Sequence, residues 1–135
     1  MDMTMQIFAL LAKANGYKEM PDSEKLEKLT EIDIGWKNLS DDKMQCNEKA
    51  ILALFMIEPL LKFKMFNDAE KWINILLSDR TNDPTQVGIY KGIFFYEKGD
   101  YENAYKYFDM VYTDTKELAF AERNLKYLEF YKSYK

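Results

Sequence analysis

Two stretches of this chain, 66–76 and 101–111, align without a gap. Phe66 answers to Tyr101, Ala69 to Ala104, Lys71 to Lys106, Ile73 to Phe108 and Leu76 to Val111, at a constant offset of 35 residues. A unit of this length is one supersecondary element that cannot bury its apolar face alone, so repetition implies stacked neighbours sharing a core. At 135 residues, with 47% apolar and 31% charged side chains, the chain fits a single folded domain, 1–135.

The spacing inside and around the repeat is helical throughout. A first helix, about 3–14, carries Met3, Ile7, Leu10, Leu11 and Ala14 on one face and ends at Asn15 and Gly16. A second opens at Pro21 and Asp22, places Leu26, Leu29, Ile32, Trp36 and Leu39 in one stripe, and stops near Ser40. The third begins at Ser40 or with Asn47 as its cap, and runs to about Lys64. Pro59 should kink it by removing the bond to the Phe55 carbonyl. The fourth, about 67–78, buries Ala69, Trp72, Ile73 and Leu76. Asp83 and Pro84 then supply a cap and a first-turn proline for a fifth, 84–98. A sixth spans 101–112. A seventh, 115–133, sets Leu118, Ala121, Leu125 and Leu128 along one side. Seven helices and no strand signal predict an all-α protein.

The turn at Lys98, Gly99, Asp100 and Tyr101, together with Gly92, Phe95, Ala104 and Phe108, resembles a tetratricopeptide repeat. Those residues fall on the family's small, aromatic, turn-glycine, aromatic, alanine and large apolar positions. The 35-residue offset compares with 34 in that family and 33 in ankyrin repeats, whose signatures are absent. The chain departs from the motif at Ile57 and Lys64, where a small residue and a glycine are usual, at Pro59, and at Gly88 in place of tryptophan. The resemblance implies antiparallel helical hairpins stacked as a short right-handed superhelix: a degenerate pair at 3–39, repeats at 47–80 and 84–113, and a capping helix at 115–133. It implies a groove lined by the first helix of each pair. The matching positions are Ile51, Leu54, Glu58, Leu61 and Lys62, then Gln86, Ile89, Ile93, Tyr96 and Glu97, with Glu122, Lys126 and Glu129 from the last helix. That surface lacks the Lys and Asn ring with which members of the family clamp a C-terminal carboxylate.

Catalytic types are scarce. There is no histidine, so neither a proton shuttle near neutral pH nor the commonest metal ligand is present. The single Cys46 excludes an internal disulfide and has no base near it in sequence; a structural thiol is the expectation. Gly88 and Gly92 are spaced for close helix packing, not as a phosphate loop. The carboxylates at Asp41 and Asp42, and at Glu97, Asp100 and Glu102, lack calcium-loop spacing and read as solvated helix ends. No cofactor and no metal are expected.

With 19 basic against 23 acidic side chains, the net charge of -4 offers nothing to nucleic acid or an anionic membrane and suits a basic partner. No apolar run approaches the ~20 residues that span a bilayer. The N-terminus, with Asp2 and a broken apolar stretch, lacks the basic start of a signal peptide, so the cytoplasm is the expected location. The expectation is a non-catalytic module binding a protein or peptide. Alternatives are an immunity-type or secretion-chaperone-like protein dedicated to one toxin or effector, and a carboxylate-dependent enzyme. Tyr127, Phe130, Tyr131 and Tyr134 make the last helix a candidate homodimer surface.

Overall fold

The computed structural model describes residues 2–135, and among them it is all helical, with no strand. Seven α-helices follow in order: α1 Met3–Ala12, α2 Asp22–Asn38, α3 Lys49–Lys62, α4 Phe66–Leu77, α5 Pro84–Lys98, α6 Tyr101–Thr115 and α7 Leu125–Ser133. None is long and apolar enough to cross a membrane.

Two hairpins, α3–α4 and α5–α6, form the centre, and their turns are built alike. Gly99 takes φ 89° and its N–H donates to the Tyr96 carbonyl at 3.0 Å, while Asp100 N–H reaches the Phe95 carbonyl at 2.9 Å. Thirty-five residues earlier Lys64 takes φ 60°, its N–H donates to Leu61 at 3.0 Å, and Met65 N–H reaches Leu60 at 2.8 Å. Both are left-handed C-terminal caps that satisfy the last carbonyls of one helix and release the chain into the next. Lysine therefore stands in a conformation that favours glycine.

Inside each hairpin the alanine of the repeat, Ala69 or Ala104, is fully buried. The second pair is packed more closely. A methyl built on Gly92 would lie 2.5 Å from the Phe108 ring, and one on Gly88 would lie 2.7 Å from the Tyr107 carbonyl oxygen and from Val111. Only hydrogen fits there.

Around the hairpins, α1 and α2 join α3 and α4 in the larger core, with Ile7, Leu29, Ile32, Leu52, Met56 and Trp72 among its fully buried members. Trp36 of α2 meets Trp72 of α4 at 5.3 Å. Asp33 accepts the Trp72 indole N–H at 3.2 Å and pairs with Lys71 and, at 3.2 Å, with Lys37. Burial opposes charge on Asp33, but the bonds and charges of Lys71 and then Lys37 outweigh it and hold the carboxyl below its ordinary value. Leu26, expected in the α2 stripe, is exposed. A smaller core joins Ile89, Ala104, Phe108, Val111, Phe120 and Tyr127.

The boundaries differ from expectation in two places. Neither Ser40 nor Asn47 caps α3: residues Asp41–Gln45 form a 3-10 turn and the helix starts at Lys49. The cause is Lys49 itself, only 2% exposed, whose ammonium donates to the Met44 carbonyl at 2.6 Å and to Asp79 at 2.5 Å. A buried ammonium needs such partners, so the loop folds over it. At the other end, the expected single helix 115–133 is broken. Thr115 Oγ1 bonds back to the Val111 carbonyl at 3.2 Å and prolongs α6, then Lys116 at φ 56° reverses the chain. Leu118–Phe120 forms a 3-10 turn that buries Phe120 against Phe108, with ring centroids 5.6 Å apart. Helix α7 restarts at Leu125, with the Asn124 side chain accepting the Lys126 N–H at 3.0 Å.

Candidate binding cleft

Helices α3 and α5 and the segment 122–127 enclose a cleft of 620 Å³. Its α3 wall is Leu54, then Glu58 one turn on, then Leu61 and Lys62 one turn further. Ile93 and Glu97 of α5 face it, and Glu122 and Lys126 close the far side. These eight are the residues expected in the groove from the family resemblance that the structure gathers around one space. Leu54 is 45% exposed; Leu61 is buried and forms part of the floor.

Five of the residues expected there do not line it. Ile51 is exposed on α3, one turn before Leu54 but outside the cleft. Gln86 is half-buried in the first turn of α5, its N–H held by the Asp83 cap at 3.1 Å. Ile89 is 1% exposed and belongs to the core, because the broken C-terminal segment packs Phe120 and Tyr127 into the same cluster; a surface role for Ile89 is corrected by that burial. Tyr96 is half-buried between Tyr127 and Phe130, at 5.3 and 5.2 Å, and serves α7 packing. Glu129 is exposed and lies outside the cleft as well.

Five further residues complete the walls: Ile57, Tyr90, Arg123, Asn124 and Tyr127. Tyr90 was within reach of sequence reasoning, standing three residues before Ile93 on the same helical face. Arg123 and Asn124 were not, since they enter only because the chain leaves helical geometry at Lys116.

The electrostatics centre on Glu97. It accepts the Tyr127 hydroxyl at 2.8 Å and the Lys126 ammonium at 2.8 Å. Burial pushes the Tyr127 phenol well above its ordinary range, and the Glu97 hydrogen bond and charge, with a smaller contribution from Glu58, push it further. Arg123 donates to the Tyr90 hydroxyl at 3.5 Å and lies 5.6 Å over that ring.

A second hollow, of 850 Å³, lies on the other side of α3, between it and the α1–α2 connection. Leu54, Glu58 and Lys62 line both, so this row is a ridge with open space on each flank. Tyr17 and Phe55, edge to face at 5.3 Å, form the back of the second hollow.

Among the described residues no three His, Cys, Asp or Glu side chains are grouped so as to hold a metal ion. Asp100 is used as the α6 cap, accepting Asn103 N–H at 3.3 Å, and Glu102 pairs with Lys106 at 3.7 Å. Cys46 is half-buried in the turn before α3, 3.9 Å from the Asp42 carbonyl oxygen. The aromatic tail is engaged within the chain: Tyr131 stacks on Tyr105 at 5.2 Å and Tyr134 meets Tyr105 and Phe130 at 5.4 and 5.1 Å. No family model, no curated protein and no solved structure matches the chain.

Proposed function

We propose that this chain is a non-catalytic, tetratricopeptide-like module that holds a peptide or a segment of a protein in the cleft between α3 and α5. The observation that carries the reading is the α3 ridge. Leu54 is 45% exposed beside Glu58 and Lys62, with hollows on both sides, and Ile51, one turn earlier on α3, is 47% exposed. Two large apolar side chains held open on a rigid helix, beside charges that fix orientation, are the makings of a recognition surface. The 35-residue recurrence of the hairpin turns supports the repeat architecture, in which stacked hairpins present such concave faces. A cytoplasmic setting fits the lone Cys46, which has no second cysteine to oxidise with.

Selection from a displayed random peptide library tests the reading. Peptides enriched on the wild-type protein should lose at least about tenfold in affinity for Leu54→Asp, since a buried carboxylate opposes apolar contact. They should bind Ile34→Asp normally, because Ile34 is exposed on α2 outside both hollows. Equal binding to Leu54→Asp, or an equal loss in Ile34→Asp, would remove the assignment.

A further inference from the structure

The cleft is filled in part by the chain's own cations. Lys126 sits on Glu97 and also lies over two rings, 5.5 Å from the centroid of Tyr96 and 5.2 Å from that of Tyr127. Arg123, three residues earlier, covers the ring of Tyr90. Each basic group therefore occupies an aromatic recess on α5 or α7, and one of the two recesses ends in a carboxylate. Such sites attract cations by charge and by the negative face of the ring. The occupants are loosely held. The Lys126 side chain is 42% exposed, and an ion pair that open contributes little in water. The Arg123 hydrogen bond, at 3.5 Å, is at the long limit.

We propose that Lys126 and Arg123 are stand-ins for a basic side chain of the partner, which displaces them on binding. The inference rests on the cleft being the binding surface, and names the chemistry it selects: a peptide with a lysine or arginine beside an apolar residue. Charge complementarity supports it. With Lys126 and Arg123 swung out, the walls present Glu58, Glu97 and Glu122 against Lys62 alone. Glu58 is exposed on the α3 wall, and among the described residues no ion pair joins it. The apolar residue of the ligand lands on Leu54, one turn from Glu58 on the same ridge.

Fluorescence anisotropy with a labelled peptide of alternating lysine and leucine, and with its glutamate–leucine counterpart, separates the possibilities. The lysine peptide should bind and the glutamate peptide should not. Glu97→Gln and Glu58→Gln should each weaken it about tenfold, the scale of one charge-assisted contact. Glu58 is exposed and has no ion pair among the described residues, so its variant should fold normally even where Glu97→Gln disturbs Tyr127. Lys126→Ala should strengthen binding about threefold, because the internal competitor is gone. Glu102→Gln, on the outer face of α6, should change nothing. Weaker binding to Lys126→Ala, equal affinity for the two peptides, or a loss in Glu102→Gln matching that in Glu97→Gln would overturn the proposal. If library selection instead yields Leu54-dependent peptides that are neutral or acidic, the cleft stands as the binding site and the cation preference falls.

Discussion

The hairpins α3–α4 and α5–α6 share one plan and differ in how it is filled. Their turns make the same two hydrogen bonds 35 residues apart, but one is centred on Lys64 and the other on Gly99. The position that holds Ile57 in the first pair holds Gly92 in the second, where the Phe108 ring leaves room only for a hydrogen. Their inner faces diverge too. Leu54 is open to solvent, while Ile89, its counterpart in the repeat, is sealed beneath Phe120. Backbone hydrogen bonding, which any residue can supply, is what the two units keep. Side-chain volume is adjusted to what each unit packs against, and the unit left uncovered is the one with a surface available for binding.

Removing the cover is the strongest way to break this contrast. Phe120→Ala should cost about 3–4 kcal/mol, as buried phenylalanine truncations do. It should also open Ile89, read as faster amide exchange in α5 with α3 unaffected. Next comes the packing difference: Gly92→Ala should destabilise by about 2 kcal/mol, since the Phe108 ring must move, while Ile57→Val costs about 1 kcal/mol. Urea midpoints compare the two directly.

The first hairpin is also anchored to α2 through Asp33, and pH addresses that link. The folded pKa of Asp33 is depressed, so the stability it adds is present above its ordinary value of 3.8 and is lost as pH falls through the lower folded value. Asp33→Asn should lower stability by about 1–2 kcal/mol at pH 7 and by progressively less in acid, measured as urea midpoints across that range.

The turns test the comparison by sign. Gly99→Ala should cost about 1–2 kcal/mol because its φ of 89° is left-handed, whereas Lys64→Gly should gain about 0.5 kcal/mol by relieving the same conformation. Opposite signs in thermal unfolding would sharpen the equivalence of the two turns; equal signs would break it.

Much of this was legible in the residues. Helical spacing, Asp83 with Pro84, and Gly99 located α5 and α6 because each is a local signal with a local cause. The turn at Lys64 carries no such signal, since the geometry is imposed by closing α4 onto α3 against the propensity of lysine. The break at Lys116 was hidden for a related reason. Leu118, Ala121, Leu125 and Leu128 fit a helix perfectly well, but burying Phe120 against Phe108 outweighs them, and Leu118 and Leu125 are left exposed. The cleft inherits both lessons. Leu54, Glu58, Ile93 and Glu97 were expected there from the resemblance to a tetratricopeptide repeat, whereas the burial of Ile89 and the entry of Arg123 depend on a tertiary decision made at Lys116.

Lys49 gives the molecule a built-in reporter. Its amine is enclosed by Met44 and Asp79, so an acylating reagent that modifies the surface lysines should reach this one last. The rate at which mass spectrometry detects label there would time the opening of the 41–48 loop, and would do so without any substitution in the chain.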